Sequence, residues 1–347
     1  MHMADALVSP AVGGALWAGT AGLLAHSARE VRRRFDDRAV PLMGVLGAFV
    51  FAAQMVNFSI PGTGSSGHIG GGLLLAILLG PHAALIAMAS VLAVQALIFA
   101  DGGLLALGCN IFNMGCIPAF VAYPLVYRPL AGSRPDGARR TAAAVIAAVA
   151  ALELGALGVV LETTLSGISE LPFRAFLLLM LPVHFAIGLA EGLATAAVAG
   201  FVARARPEAI FSERAEGRAR GLRPATIGLL IGALAIGGAL SSLASGDPDG
   251  LEWAVAKLTG GKEPAGDAGS VREFLADVQR RTAVLPEYSF RSDEPSAERP
   301  PASAIDPGTS ASGILGALAV LAVVAAAGWL LAARGRRSGR SPGAAPP

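Results

Sequence analysis

Two histidines stand where they could hold a transition-metal ion. His2 directly follows Met1, so the terminal amine, the His2 backbone nitrogen and the imidazole Nδ1 can form adjoining five- and six-membered chelate rings. A nitrogen from His68, after the flexible run PGTGSSG, would complete a plane of four nitrogens once the His2 amide proton is lost. Planar nitrogen coordination suits Ni(II) or Cu(II), whereas Mg(II) and Ca(II) prefer oxygen. A His at position 2 is often an ordinary residue, and a His after a Gly/Ser loop can simply cap the next helix. Residue types alone therefore leave metal binding open.

The other ionisable residues in apolar surroundings indicate structural support. His26 and His82 lie at helix ends that we place on the cytoplasmic side of the membrane, opposite to His2 and His68. His184 and Glu191 lie seven residues apart in one apolar segment, and Glu153 lies in another. Ionisable residues inside a membrane are functional candidates, but we expect these three to pair with neighbouring helices.

No catalytic constellation is visible in the sequence. A His-Glu-x-x-His pair of metalloproteases is absent. The run GTGSSG lacks the strand and helix that flank a nucleotide-binding fingerprint, and GGKEP at 260–264 is not a phosphate-binding loop. We therefore expect no enzyme activity and no bound cofactor. If ATP drives this protein, another chain hydrolyses it.

The elements that must position these histidines are membrane helices. Of 347 residues, 54% are apolar and 15% are charged, and the mean hydropathy is +0.60. A soluble domain carries roughly 25% charged residues. The apolar residues occur in runs of the length that spans a bilayer, and the 44 glycines suit close helix packing. The net charge of +2 gives no indication of nucleic-acid binding. The composition predicts an all-α, polytopic integral membrane protein.

The apolar runs predict nine spans, seven in a first bundle and two in a C-terminal hairpin. Their approximate limits are 9–26, 40–58, 68–80, 82–100, 104–127, 141–163, 173–203, 224–245 and 312–333. Four basic segments contain 19 of the 27 Lys and Arg residues, and these are 27–40, 128–140, 204–223 and 334–347. Basic loops mark the cytoplasmic side. With nine spans, all four segments lie on the same side of the membrane. They face the cytoplasm only if the N-terminus is extracytoplasmic.

The topology places the two candidate ligands on one side of an inner (plasma) membrane. The N-terminus, the loop around His68 and the polar stretch 246–311 face outward, and the C-terminus faces the cytoplasm. We find no basic segment followed by an apolar stretch and a cleavage site at the start. We also expect the bulky His2 to protect Met1 from removal, which keeps the terminal amine in place.

Composition shifts divide the chain into four parts. They are a metal-binding membrane domain at 1–205, a basic cytoplasmic linker at 206–222, a helical hairpin at 223–335 and a disordered cytoplasmic tail at 336–347. The outer loop of the hairpin, 246–311, holds no His or Cys, so we predict a docking or gating element. We expect its acidic residues Asp247, Asp249 and Glu252 to form a solvated surface.

Four motifs resemble the CbiM/NikM family, the substrate-binding membrane components of energy-coupling factor (ECF) transporters for cobalt and nickel. They are MHMADALVSP at the start, PGTGSSGHIGGGLLLAILLGP at 61–81, VLAVQALIFADGGLLALGCNIFNMG at 91–115 and HFAIGLAEGLAT at 184–195. The resemblance covers about residues 1–205. DPDGLEWAVAK at 247–257 is similar to the PDGLE domain of the NikN-type component. The whole chain therefore resembles a fused NikMN protein.

The resemblance implies a ligand set. In this family the N-terminus folds back into the protein, which gives as ligands the Met1 amine, the backbone and imidazole of His2, and His68. Asn113, in the NIFNMG motif, and Ser66 are implied supports of the site rather than ligands. The third residue is Met where the family more often has Ile, which puts the packing of the N-terminal loop in question.

The resemblance also implies partners, namely a transmembrane coupling protein, two cytoplasmic ATPase subunits and membrane lipid. Nickel or cobalt would be the transported substrate, and a plane of four nitrogens leans toward nickel. Two alternatives stay open. A stand-alone secondary transporter or channel would work without ATPase partners, and a membrane protein of cobalamin biosynthesis with no transport role would turn over a corrinoid precursor.

Overall fold

The protein is almost entirely helical. The computed structural model describes residues 2–33, 39–132, 137–205, 222–262, 269–290 and 307–338. Its helices are α1 Pro10–Arg33, α2 Ala39–Gln54, α3 Gly72–Leu79, α4 Pro81–Phe99, α5 Leu107–Ala131, α6 Gly137–Ser166, α7 Phe173–Ala205, α8 Leu222–Gly238, α9 Gly250–Thr259, α10 Ser270–Thr282 and α11 Pro307–Ser338. Met1, nearly all of the predicted linker and the tail from residue 339 onward lie outside the described residues.

Five of the described helices are long and apolar enough to cross a membrane. They are α4, α5, α6, α7 and the first 25 residues of α11, and apolar stretches of α2 and α8 are shorter. An apolar crossing needs roughly 20 helical residues. The fold class that we predicted, an all-α polytopic membrane protein, is confirmed. The nine crossings and their orientation stay predictions.

The segment 68–80, which we predicted as the third span, is helical only over α3. Eight helical residues rise about 12 Å, less than half of a bilayer core. The residues before α3 do not continue the helix because Gly71 has a φ of 78° and a Cβ there would meet Val50 Cγ1 at 2.5 Å. Their backbone groups bond to a side chain of another helix, as described below. The prediction that this helix begins at residue 68 was wrong because hydropathy alone cannot distinguish an apolar glycine loop from a helix.

A two-stranded hairpin leads into this loop. Strands β1 Phe58–Ile60 and β2 Ser65–Gly67 pair antiparallel, with Ser59 opposite Ser66. All three residues of β2 are buried. A Cβ at Gly67 would lie 2.4 Å from Ile187 Cδ1, so the strand lies directly against α7. The hairpin therefore delivers His68 into the bundle rather than to its surface.

The C-terminal helices pack on the N-terminal bundle through small residues. A Cβ on Gly316 of α11 would lie 2.0 Å from Phe51 Cζ of α2, and one on Gly44 of α2 would lie 2.9 Å from Leu321. Helices α8 and α11 cross at Gly237 and Gly313. Such close approach is how helices associate in lipid. The hairpin at 223–335 is thus part of one bundle with α2.

Candidate metal-binding site

The N-terminal segment is fixed by hydrogen bonds on the residue after His2. The Met3 backbone N–H donates to Asn110 Oδ1 at 2.8 Å, and Asn110 Nδ2 donates back to the Met3 carbonyl at 3.3 Å. The Gly103 N–H donates to the same carbonyl at 2.9 Å. The Met3 side chain is fully buried. Asp5 accepts from the Ala106 N–H at 2.9 Å, just before α5 begins. These contacts position the backbone of His2.

The His2 ring contacts a chain of buried amides. His2 Nε2 lies 3.1 Å from Gln95 Oε1, Gln95 Nε2 donates to Gln54 Oε1 at 2.9 Å, and Gln54 Nε2 donates to the Gly70 carbonyl at 2.7 Å. Because Gln95 Oε1 can only accept, His2 Nε2 donates, and in a neutral His2 ring the lone pair is then on Nδ1. That is the nitrogen which the six-membered chelate ring requires. Asp101 Oδ1 lies 3.5 Å from it.

His68 is fixed in the complementary tautomer. Its Nδ1 lies 3.0 Å from the Ile69 carbonyl oxygen, so Nδ1 donates and Nε2 keeps the lone pair. Burial, the charge of the amino terminus and His2 together lower the pKa of His68 from 6.5 to about 4. The imidazole is therefore neutral near pH 7, the state that binds metals. The rings of His2 and His68 stack with their centroids 5.2 Å apart.

A glutamate of α7 shapes the loop that follows His68. Glu191 Oε2 accepts from the Gly70 N–H at 2.7 Å, and Oε1 accepts from the Gly71 N–H at 3.0 Å. The carboxylate thus satisfies two donors that a helix would have used. We expected Glu191 to support structure by pairing with a neighbouring helix, and its partner is this loop.

The segment between α8 and α11 joins the site through its PDGLE motif. The Ser66 N–H donates to the Pro248 carbonyl at 2.8 Å, and Ser66 Oγ donates to the Asp247 carbonyl at 2.7 Å. Ser66 also forms a parallel bridge with Asp249. The motif therefore lies beside the strand that carries His68, and Ser66 supports this junction.

Asp249 is more than the solvated surface residue that we expected. It caps α9, because its Oδ1 accepts from the backbone N–H groups of Leu251 and Glu252, both at 2.8 Å. Burial raises the pKa of Asp249, but the charge of the amino terminus, the bond from Glu252 and the two site histidines outweigh burial and hold it well below its ordinary value. Asp249 thus adds a negative charge at the site. Asp247 is exposed, as expected.

Helix α10 and the turn after it cover the N-terminal segment. Arg272 donates to the Asp5 carbonyl at 2.8 Å, and Gln279 Nε2 donates to the carbonyls of Ala96 at 2.9 Å and Gly102 at 2.7 Å. The Tyr288 hydroxyl donates to Asp101 Oδ2. Burial and the neighbouring Asp101 raise the pKa of Tyr288 well above 10, so it remains a donor. Residues 269–290, which we call the covering segment, therefore hold the groups around His2.

The structure brings together two of the residues that the sequence singled out, His2 and His68. Met1, the expected source of the amine, lies outside the described residues. Asn113 donates from Nδ2 to Glu162 Oε2 at 2.8 Å, whereas Asn110 bonds the N-terminal segment, and the supporting role of Asn113 stays a prediction. Among the described residues, no three His, Cys, Asp or Glu side chains gather closely enough to hold an ion. A metal bound here would need backbone or amine nitrogens.

Sequence reasoning missed the buried amides that orient the ligands. Gln54 and Gln95 are uncharged polar residues within otherwise apolar runs, and each is at most 4% exposed. Buried polar groups in such positions are nearly always hydrogen-bonded. That property was the available signal, and it would have identified Asn110 in the same way.

Comparisons with known proteins agree over both parts of the chain. Residues 2–209 match the CbiM family model, described as the cobalt uptake substrate-specific transmembrane region, and residues 223–333 match the PDGLE domain. A relative from Archaeoglobus fulgidus, named "Putative fused nickel transport protein NikMN", is 34% identical and covers 93% of this chain and 96% of its own length. A "Cobalt transport protein CbiM" from Sorangium cellulosum is 30% identical over 60% of this chain and 93% of its own.

A solved structure titled as a transition metal transporter agrees with these relatives. It is 30% identical, with a TM-score of 0.54, and covers 62% of this chain and 100% of its own. The family matches, the relatives and the fold all lead to one assignment. The chain belongs to the CbiM family and carries a PDGLE domain fused behind it.

Proposed function

We propose that the chain captures Ni(II) or Co(II) at the outer face of the membrane for an ATP-driven importer of the ECF type. The single observation that carries the proposal is the stacking of His2 on His68 in complementary tautomers. Nδ1 of one ring and Nε2 of the other are left without hydrogens by the bonds to Gln95 and Ile69. Relatives named as nickel and cobalt transport proteins support a metal ion as the cargo.

The proposed ligands are the Met1 amine, the deprotonated backbone nitrogen and Nδ1 of His2, and Nε2 of His68. With Ni(II), one deprotonated amide and three neutral nitrogens, this unit carries a net charge of +1. A residual positive charge in a partly buried site needs a counter-charge. Asp249 and Asp101 lie beside the histidines and supply it.

The remaining steps belong to partner subunits. We expect a transmembrane coupling protein and two ATPases to reorient this chain in the membrane and release the ion inward. The chain itself contributes selection and capture. The covering segment would retain the ion by holding Asp101 and the N-terminal segment in place.

The test is metal binding by purified protein with a native N-terminus. His2→Gln and His68→Gln should each lower the affinity for nickel and cobalt at least a hundredfold by titration calorimetry. Gln is preferred to Ala at position 2 because a small second residue exposes Met1 to removal. His26→Gln is the matched control and should bind normally, since the His26 ring packs edge to face against His82, away from this site.

A second arm tests the amine. A retained N-terminal extension moves the amine away from His2 and should abolish tight binding, with mass spectrometry confirming each N-terminus. Undiminished affinity in the extended protein, or in both Gln variants, would contradict the proposed chelate. Metal-dependent uptake that persists without ATPase partners would instead overturn the ATP-driven part of the proposal.

A further inference from the structure

A small cavity lies directly behind His68. Its volume is about 10 Å³, and its lining includes His68, Asp249, His184 and Met114. That volume is room for roughly one water-sized particle. His68 is a wall of this cavity and also a ligand of the proposed capture site, so the two spaces share one side chain.

His184 presents an unused nitrogen at this cavity. Its Nδ1 lies 2.8 Å from the Met180 carbonyl oxygen, so Nδ1 carries the hydrogen and Nε2 carries the lone pair. His184 is 1% exposed, and among the described residues Nε2 has no hydrogen-bond partner. The loss of a partner for a buried polar atom costs about 1–3 kcal/mol. An occupant of the cavity would supply the missing partner.

The Cε1 atom of the His184 ring, which lies between its two nitrogens, approaches the PDGLE motif. A Cβ on Gly250 would lie 3.4 Å from His184 Cε1 and 2.6 Å from Val183 Cγ1. Gly250 lines the same cavity. Only glycine allows α9 to approach so closely, and this approach brings Asp249 to the rim.

The side chains around the cavity are those that bind late first-row metals. Two imidazoles and a thioether from Met114 are nitrogen and sulfur ligands of the kind that late first-row metals accept, and Asp249 adds a negative charge at the rim without joining them as a ligand. Leu152 and Ile187 complete an apolar wall. An apolar wall favours an ion that is held by a few nitrogen and sulfur atoms over one that keeps its hydration shell.

We infer that this cavity is a second station for the transported ion, in which His184 Nε2 takes the metal as it leaves the amine chelate. His68 is the ligand common to both stations, and Asp249 supplies the counter-charge. His184 lies on α7, eleven residues after that helix begins, so the transfer brings the ion against a helix that is long and apolar enough to cross a membrane. The inference rests on the proposed capture of nickel or cobalt.

The decisive variant is His184→Gln, which keeps a side-chain donor toward Met180 but removes the ring nitrogen. In the full chain with its partner subunits, nickel-63 uptake should fall at least tenfold, while the equilibrium affinity for nickel stays within about twofold of the wild type. His184→Cys should restore much of the uptake, because a thiolate also ligates nickel. His26→Gln should leave both quantities unchanged.

The outcomes separate this inference from the proposed function. Normal uptake by His184→Gln would show a cavity that holds only water and would overturn the station. Lost binding in a folded variant would make His184 part of the first site, which also overturns it. Failure of the wild-type protein to bind metal through His2 would instead defeat the proposed function.

A measurement on the wild-type protein guards against a variant that does not fold. Crystals soaked in excess nickel should show a second anomalous peak within coordination distance of His184 Nε2, in addition to the peak at His2. A single peak at His2 under saturating nickel would overturn the second station.

Discussion

The Nε2 atom of His2 lies 3.1 Å from Oε1 of Gln95, and this bond determines which nitrogen of the ring can bind a metal. Gln95 is itself held by Gln54, which in turn bonds the loop after His68. One line of amides therefore orients the first proposed ligand and ties it to the loop of the second. Partners of this kind fix ligand tautomers in metal sites generally.

Substitution of Gln95 should weaken metal binding although Gln95 is not a ligand. Gln95→Leu removes the acceptor for His2 Nε2 and leaves the ring free to take the wrong tautomer, so nickel affinity should fall roughly 10- to 100-fold. Gln95→Glu keeps an acceptor at that position and should recover most of the loss. Calorimetric titration of both variants checks this. Equal affinities for the two variants would show that Gln95 acts through packing alone.

The charge of Asp249 should matter to metal affinity but not to folding. Asn caps a helix as well as Asp, so Asp249→Asn should retain the bonds to Leu251 and Glu252 and leave the melting temperature nearly unchanged. Loss of one negative charge near the cation should lower nickel affinity about tenfold. The matched control is Asp247→Asn, the same chemical change at an exposed residue two positions away. A similar loss of nickel affinity in both variants would show that any negative charge on this surface has the same effect, and that Asp249 has no special place.

The bonds of Gln279 should determine how firmly the covering segment stays in place. Its amide donates to the carbonyls of Ala96 and Gly102, on either side of Asp101. Gln279→Leu leaves both carbonyls without this donor, and each lost bond should destabilise the closed arrangement by about 1 kcal/mol. Amide hydrogen exchange over residues 269–290 should accelerate, and bound nickel should dissociate faster.

Arg280→Gln is the control for that experiment. Arg280 pairs with Asp277 on the surface of the same helix, and an exposed pair of this kind contributes little. Its exchange and its nickel dissociation should match the wild type. If Gln279→Leu also matched the wild type, the covering segment would not retain the ion.

The sequence was sufficient to predict a fold of membrane helices and to single out two histidines that the structure places together, because each depends on local signals. Long apolar runs predict membrane helices, and a histidine after the initiator Met is a chelator by covalent geometry alone. The residues 68–71 were misassigned because the donors of Gly70 and Gly71 bond to Glu191, which is more than 100 positions away. Hydropathy contains no information about such a partner.

The role of Asp249 could not be predicted for a similar reason. Its place at the site follows from the bridge to Ser66, a contact between residues that are 183 positions apart in the sequence. In isolation, Asp249 has the appearance of an acidic residue in a polar loop. Asn110, which the sequence analysis did not single out, lies three residues before Asn113 on α5, and the sequence does not show which of the two faces the N-terminal segment.

The pH dependence of binding should report the chelate directly. The His2 backbone N–H must lose its proton at any ordinary pH, and the terminal amine, with an ordinary pKa of about 8, must lose one below that value. His68 has no proton to lose above about pH 4, because its pKa is lowered to about 4 in the folded protein. From the amine and the amide alone, nickel affinity should therefore rise about a hundredfold per pH unit below pH 8.

The same lowered pKa links pH to stability, and the sign can be stated. A histidine whose folded pKa is about 4 against 6.5 unfolded binds fewer protons when folded, so stability falls as the pH drops from 6.5 toward 4. In metal-free protein, His68→Gln should remove this part of the acid sensitivity, measured as melting temperature against pH.

The protons that are released when nickel binds to the wild type can be counted by titration in buffers of different ionisation enthalpy. Release of fewer than one proton at pH 8 would mean that the amide keeps its hydrogen, and a planar four-nitrogen site would then be excluded.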